Sequence, residues 1–403
     1  MPSPRLTALA LAPALACAPS DLGDDDGAIE LGPAPIAGYP RIDAACGEAP
    51  AEPRFLVVTT TDFSTGALSA LDLASGEVLA DVALGSTDAR PFAHRGLVYL
   101  LHRYMLDALD VVDPAAAWQT VHQLAITADE GASANPQTLA FADDDLAYVT
   151  LLASSRIPVL DLADPRAPTP VGTLDLRRLA DDDGSPEPGL AIACGGTLFV
   201  ALQRLDRHDG FRPLHDRDLV VALDRASGRL HDLDPDAPGV QGIELAGLWA
   251  RQWRRDPTDP SGRTLLVLTT GLERLDLAAG ASEWLIAPEA LTAIGVTSYL
   301  QPQSFALDAQ GRVYIASYTA DFAEVQVHRF DPSAPPPLAP YAILGGVQTA
   351  EQALEIADDT LWIGDRTLGA SGLRAYDLGH DPPLPLVGPL STGLAPYAIA
   401  PLP

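Results

Sequence analysis

Histidine and aspartate side chains occur together in one insert of the chain, residues 205–217. His208-Asp209 and His215-Asp216 each pair an imidazole with a carboxylate, and such pairs can bind zinc or another divalent ion. Their spacing matches no strong metal motif, so a charged surface loop is the alternative interpretation.

Two aspartate-rich stretches offer the oxygen ligands that calcium uses. Asp232, Asp234 and Asp236 alternate as in a calcium loop, but the sixth position is not Gly and the twelfth is not Glu, which excludes an EF-hand. Asp181–Asp183, followed by Gly184, is equally unspecific, and a solvated acidic turn is the alternative for both stretches. We therefore predict no cofactor, with calcium or zinc left open at these places.

Other kinds of chemistry have less support in the sequence. It contains no nucleophile elbow, no phosphate loop and no Ser/His/Asp spacing that defines a catalytic triad. The net charge is −29 and the chain contains no Lys, so all 25 basic residues are Arg. Such an acidic surface repels phosphate backbones, and we expect no nucleic-acid partner. The question of an enzymatic activity stays open, with a binding role favoured.

A repeated strand end organises the chain. Ile157–Leu162 is a short apolar run that Asp164-Pro165 terminates, because Pro cannot donate to a sheet ladder. The Asp carboxylate at such an end can accept backbone N–H groups two residues further on and hold the turn. Spacings of about 40 to 60 residues between the ends indicate a propeller or a solenoid. The seven ends are Leu71-Asp72, Leu109-Asp110, Leu160-Asp161, Leu223-Asp224, Leu275-Asp276, Phe330-Asp331 and Tyr376-Asp377.

Each repeat is long enough for four strands, lettered a to d from the axis outward. We predict that the strand with the repeated end is strand d and that the apolar strand before it is strand c. The predicted c strands are Phe55–Thr59, Leu97–Leu101, Leu146–Leu151, Leu198–Leu202, Leu265–Thr269, Val313–Ser317 and Leu361–Gly364.

The two ends of the chain predict how the ring closes. The C-terminal end has room for two strands beyond the last repeat, Leu386–Leu390 and Tyr397–Pro401, and the N-terminal end supplies Phe55–Thr59 and Leu68–Leu73. Two plus two strands make one blade, and a sheet built from both termini leaves no free edge. We predict an all-β fold over residues 53–403, a seven-bladed β-propeller with four antiparallel strands per blade and the last blade shared.

The stretch from Arg156 to Gly172 resembles the LVIVD repeat of bacterial β-propellers. The residues that match are Asp161, Asp164, Pro165, Pro168, Val171 and Gly172. Residues 53–403 are also similar to the wider YVTN and quinoprotein-like propellers, while WD dipeptides and Asp-box motifs are missing. The resemblance implies a fold rather than a function, because this fold hosts many roles.

The N-terminal residues have the pattern of an export signal. Residues 1–16 contain Arg5, an apolar run from Leu6 to Ala16 and a small-residue cleavage site, and Cys17 follows directly. This resembles a bacterial lipobox, which implies that Cys17 is lipidated; ordinary signal-peptidase cleavage is the alternative. Residues 17–52 then form a flexible acidic linker. We expect an exported outer-membrane lipoprotein of a Gram-negative bacterium, facing the periplasm or the cell surface.

Two of the three cysteines remain if Cys17 carries the lipid. An exported chain resides where disulfides persist, and we predict a bridge between Cys46 and Cys194. Two unrelated thiols, with Cys194 a small core residue, are the alternative.

The long segments predict where a ligand binds. We assign segments 127–136, 177–188 and 289–302 to a–b loops and segments 203–217, 318–323 and 366–371 to c–d loops, which puts all of them on one face. Polar residues near the starts of the following strands would then surround the mouth of the axial channel. They are Arg90, Asn135, Gln137, Glu187, Gln301, Gln303 and Gln352.

These observations favour an envelope-anchored binding or scaffold propeller, with a ligand or protein partner at the channel mouth. We expect a monomer that contacts the membrane through its lipid anchor. Two alternatives stay open: an envelope enzyme of the lactonase-like or quinoprotein type, and an outer-membrane assembly scaffold resembling the eight-bladed propeller lipoproteins.

Overall fold

Seven four-stranded antiparallel sheets form the β-propeller that the repeats predict. The computed structural model describes residues 33–39, 46, 52–127, 133–142, 145–296, 302–335, 338–349 and 352–403. First strands of neighbouring blades contact one another, which places strand a of each blade at the axis. From a to d, the strands are Pro396–Leu402, Phe55–Thr61, Gly66–Asp72 and Val78–Gly85 in blade 1; Arg90–His94, Leu97–His102, Ala108–Asp113 and Gln119–Ala125 in blade 2; Pro136–Phe141, Leu146–Leu151, Arg156–Asp161 and Thr169–Asp175 in blade 3; Pro188–Cys194, Thr197–Leu202, Leu219–Asp224 and Ile243–Glu244 in blade 4; Gln252–Arg255, Thr264–Leu268, Leu272–Asp276 and Ala281–Ile286 in blade 5; Ser304–Leu307, Val313–Tyr318, Val325–Phe330 and Tyr341–Val347 in blade 6; and Leu354–Ala357, Thr360–Asp365, Gly372–Asp377 and Leu384–Leu390 in blade 7.

Short elements decorate the ring. Strand Ile36–Ala37 pairs in parallel with His231–Asp232, and Leu205–Asp206 forms a small hairpin with Arg212–Pro213. The described helices are the α-helix Pro288–Ala293 and three 3-10 turns, Pro114–Ala116, Arg177–Leu179 and Arg207–Asp209. None of the described helices is long and apolar enough to cross a membrane.

The strand letters predicted from the sequence were wrong by one position. The predicted c strands are the b strands of the structure, and the strands with the repeated Asp end are the c strands. The true outer strands gave little signal, because much of their surface faces solvent: Leu384–Leu390, for example, has six exposed residues of seven. They therefore resemble connecting segments in the sequence.

Blade 1 closes the ring, but not by two strands from each end. The predicted pairing of the first propeller strand with the last is confirmed, since Val57 lies opposite Ala400 in an antiparallel ladder. Three strands come from the N-terminal side and only Pro396–Leu402 from the C-terminal side. Leu384–Leu390 instead pairs with Gly372–Asp377 as the outer strand of blade 7.

The repeated aspartates hold turns as the sequence predicts. Oδ1 of Asp72 accepts the backbone N–H groups of Ala74 and Ser75, both at 3.0 Å. Oδ1 of Asp276 accepts two N–H groups in the same way, at 2.8 Å each. These turns connect strands c and d, so each Asp satisfies backbone donors that the outer strand leaves without a ladder partner.

The apolar core lies between the blades. Phe55 and Val57 of blade 1 pack with Val98 and Leu100 of blade 2, and equivalent clusters join the other described neighbours. Trp118 packs in the cluster between blades 1 and 2, where its ring meets Phe55 edge-on at 5.3 Å between centroids.

The disulfide between Cys46 and Cys194 is present. Cys194 ends strand a of blade 4, and Cys46 is buried beside it in the cluster shared by blades 4 and 5. The backbone N–H of Cys46 donates to the carbonyl of Gly262. Arg229 also donates to the carbonyls of Ala34 and Pro35. Both described pieces of the segment before the propeller therefore contact the face with the a–b and c–d turns.

Candidate binding site at the mouth of the axial channel

The connections that contain the long segments share one face, although they join different pairs of strands from those predicted. Segments 127–136 and 177–188 join strand d of one blade to strand a of the next, and segments 203–217 and 366–371 join strands b and c. The d–a and b–c connections share a face because antiparallel strands alternate in direction. We call this the loop face.

Four residues just before inner strands adopt left-handed backbone conformations. They are Asn135, Glu187, Trp249 and Gln352, with φ between 48° and 60°. Carboxylates hold two of these bends. Asp107 accepts the N–H groups of Ala134 and Asn135, and the fully buried Asp218 accepts that of Ala250 at 2.6 Å. Side chains that are not glycine at positive φ mark places where surrounding structure enforces a conformation, and such places cluster at functional sites.

Two of the predicted mouth residues, Arg90 and Gln137, contact each other at the inner ends of blades 2 and 3. Nη1 of Arg90 donates to the carbonyl of Gln137 at 3.3 Å. Arg103, which follows strand b of blade 2, donates to Oε1 of Gln137 at 3.3 Å and to the hydroxyl of Tyr397 at 2.7 Å. Arg103 also lies 3.5 Å from the carboxylate of Asp88. A polar network therefore links the inner ends of blades 1, 2 and 3.

A cavity of about 180 Å³ opens beside this network. Neither a carboxylate nor an imidazole is among its lining side chains, which carry guanidinium, amide and indole groups. Guanidinium and amide groups can hold an anion by charge-assisted hydrogen bonds. The principal lining residues of the cavity are Arg90, Gln137, Gly189, Gln203, Trp249 and Arg251.

Gly189 keeps the floor of this cavity open. A Cβ atom at Gly189 would lie 3.1 Å from the side-chain nitrogen of Gln203, closer than side chains normally pack. That nitrogen donates to the carbonyl of Ala250 at 3.0 Å, which joins blade 4 to the bend before blade 5. The bare backbone thus lets the Gln203 amide cross between the two blades.

The sequence predicted Arg90 and Gln137 in this cavity but missed Gln203, Trp249, Arg251 and the neighbouring Arg103. Gln203 and Arg103 each follow a b strand directly, and Trp249 and Arg251 lie just before the inner strand Gln252–Arg255. Had the strands been assigned to the correct positions in each blade, the residues after b strands and before a strands would have been predicted at the channel mouth.

The other predicted mouth residues have different surroundings. Asn135 accepts a hydrogen bond from the Gln137 side chain at 2.8 Å, so it supports the cavity wall. Gln303 and Gln352 precede the inner strands of blades 6 and 7, where the backbone N–H of Gln303 and the carbonyl of Gln352 make interstrand bonds. Gln301 and Cys17 lie outside the described residues.

Glu187 is the buried member of an acidic group next to the mouth. Its carboxylate is fully buried, accepts the N–H of Leu205 at 2.7 Å, and lies 3.5 Å from Nε of Arg207. Burial raises the pKa of Glu187 to about 8. Asp181 and Asp183 each bring a carboxylate oxygen within 4.8 Å of it, and Arg207 also lies 3.3 Å from Asp183. The calcium prediction for Asp181–Asp183 stays a prediction.

The histidines of the 205–217 insert do not join such a group among the described residues. Asp209 pairs with Arg212 at 3.2 Å, while burial lowers the pKa of His215. In the other acidic stretch, Asp232 accepts the N–H of Gln241. Zinc at His208, Asp209, His215 and Asp216 therefore stays a prediction from sequence.

The loop face also carries apolar side chains at the tips of five b–c loops. These side chains are exposed. The residues are Phe63, Met105, Phe211, Phe322 and Leu368.

Solved structures with this fold include two proteins whose names indicate lactonases. A periplasmic gluconolactonase of Pseudomonas aeruginosa is 14% identical with a TM-score of 0.56, covering 86% of this chain and 98% of that chain. A 6-phosphogluconolactonase-like protein of Bacteroides fragilis is 11% identical with a TM-score of 0.58, covering 87% and 99%. A Lactobacillus plantarum protein is 12% identical with a TM-score of 0.55, covering 87% and 99%. At these identities the likeness shows the fold alone.

Sequence comparison does not assign the chain to a family. No family model matches the chain, and no curated protein matches it.

Proposed function

We propose that this protein is an exported, envelope-anchored binding propeller whose ligand is an anion held at the mouth of the axial channel. The observation that carries the proposal is the cavity between blades 2, 3, 4 and 5, where Arg90 and Arg251 converge with two amides and the Trp249 indole. Guanidinium groups recognise carboxylates and phosphates through paired, charge-assisted hydrogen bonds. The two arginines line one cavity in a chain whose net charge is −29.

The export part of the proposal rests on two independent features. The Cys46–Cys194 disulfide is of the kind that persists in oxidising compartments. The N-terminal pattern ending at Cys17 supports lipid anchoring at the outer membrane. We expect the wild-type protein to incorporate labelled palmitate and the Cys17→Ser variant to incorporate none. Equal incorporation by the two proteins would contradict the lipid anchor.

The binding proposal can be tested with a panel of small anions. We expect a sugar acid, a dicarboxylate or a phosphate ester to raise the melting temperature with increasing concentration, because a ligand that binds only the folded state stabilises it. Arg251→Gln should weaken binding by about 10- to 100-fold, since a hydrogen bond to a charged group contributes about 1.5–3 kcal/mol.

Arg255→Gln is the matched control. Arg255 ends the same inner strand that Arg251 precedes, so it lies at the other end of the channel. Equal weakening by both substitutions would contradict binding at this mouth. Glucono-δ-lactone belongs in the same assay, because its turnover by the wild type and not by Arg251→Gln would favour the lactonase-like alternative.

A further inference from the structure

Three side chains that the sequence separates form a hydrogen-bonded relay between blades 1 and 2. Oγ of Ser86 lies 3.0 Å from Nδ1 of His102, and Nε2 of His102 lies 3.2 Å from Oδ2 of Asp110. Ser86 follows the outer strand of blade 1, while His102 and Asp110 lie on strands b and c of blade 2. A hydroxyl, a base and a carboxylate that orients the base are the parts of an activated nucleophile.

The hydrogen bonds fix the tautomer of His102. The backbone N–H of Ser86 donates to Nδ1 at 3.2 Å, so Nδ1 carries a lone pair and not a proton. Nε2 then bears the proton and donates to Asp110. Ser86 Oγ lies 3.0 Å from the same nitrogen and shares its single lone pair with the backbone N–H, so the hydroxyl can pass its proton to Nδ1 when it displaces that N–H. Nε2 of Gln123 donates to both oxygens of Asp110 at 3.1 Å and holds that carboxylate in place.

Burial differs along the relay. His102 and Asp110 are 3% and 7% exposed, whereas Ser86 is only partly buried. All three line a cavity of about 350 Å³, within the range of small-molecule sites. The side chains of Leu84, Leu106 and Leu124 form apolar walls of this cavity. The hydroxyl is thus accessible next to an apolar recess, while its base and orienting group are shielded.

We infer that Ser86 is a nucleophile towards esters with a short aliphatic acyl chain, with His102 as its base and Asp110 as the positioning residue. Ser86 Oγ would attack the ester carbonyl while its proton moves to Nδ1 of His102. The C–O bond to the alcohol then breaks, and the departing oxygen takes that proton. Water attacks the acyl-serine by the same route, releases the carboxylic acid and restores Ser86 and the neutral imidazole.

This site is separate from the proposed anion site. It lies in the cleft between the outer parts of blades 1 and 2, and no residue lines both cavities. The inference therefore does not depend on the axial ligand.

An alkyl fluorophosphonate tests the inference on the full chain. We expect covalent labelling that peptide mass spectrometry maps to Ser86 in the wild type. His102→Gln should slow labelling by about 100-fold or more, the usual contribution of a general base. Hydrolysis of p-nitrophenyl butyrate should fall in parallel.

Ser133→Ala is the matched control, because the Ser133 hydroxyl donates to the carboxylate of Asp107 instead of contacting a histidine nitrogen as Ser86 does. It should leave the labelling rate unchanged, and Ser86→Ala should abolish labelling while it keeps the melting temperature. If a variant fails to fold, the labelled peptide of the wild type still shows whether Ser86 is the nucleophile. Absence of label, label at another serine, or equal labelling of wild type and His102→Gln overturns the inference.

Discussion

The two faces of the ring are built from different parts. On the face of the a–b and c–d turns, aspartates such as Asp72 and Asp276 cap short turns, and the disulfide ties Cys46 to blade 4. On the loop face, carboxylates hold chain bends at positive φ, and arginines line an open cavity. The comparison teaches that polar groups on one face serve the fold, whereas the other face also carries the arginines to which we assign an anion.

The largest effect should follow loss of the strand that closes the ring. Deletion of residues 391–403 removes Pro396–Leu402 and leaves the fully buried strand Phe55–Thr61 with an open edge. We expect a broad unfolding transition without cooperativity, measured by circular dichroism during urea titration. Removal of Pro403 alone is the control. A single steep transition close to that of the wild type would show that the ring does not need this strand.

The next largest effect concerns the face with the disulfide. The bridge joins residues 148 apart, so its removal by Cys46→Ser should lower the free energy of unfolding by about 2–5 kcal/mol. Anion binding at the loop face should be unchanged in the same variant. Cys194→Ser and the double variant should match it. Alkylation of both thiols in the wild type without reductant would refute the bridge.

Part of this architecture could be predicted from the sequence. The number of blades and the contact between the first and last strands could be predicted by counting the repeated Asp ends. These ends are visible in the sequence because Asp-Pro and Gly turns are specified by neighbouring residues. The position of each strand within its blade could not be predicted, since an outer strand such as Leu384–Leu390 is mostly exposed and has little hydrophobic pattern. Ser86, His102 and Asp110 come together only through pairing between strands and packing between blades, which leaves no local spacing to find.

A smaller effect should appear in the pH dependence of stability. Burial raises the pKa of Glu187 to about 8 from 4.5, and that of Asp218 to about 7 from 3.8. The folded protein holds these protons more tightly than the unfolded chain. The contribution of these two protonated carboxyls to the stability of the fold is therefore complete below their ordinary pKa values. It is lost as pH rises through about 7 to 8.

Glu187→Gln and Asp218→Asn should each flatten this decline, measured as the free energy of unfolding between pH 5 and pH 9. Asp72→Asn is the control, since its carboxylate is exposed and caps a turn on the opposite face. An unchanged slope in both buried variants would contradict the protonated state of these carboxyls.

The most direct measurement is a crystal structure of the disulfide-bonded protein soaked with the anion that raises its melting temperature most. The account predicts ligand density within hydrogen-bond distance of Arg90 and Arg251, beside Trp249. Density at the face with the a–b and c–d turns, with the axial cavity filled only by solvent, would contradict the division of roles between the two faces.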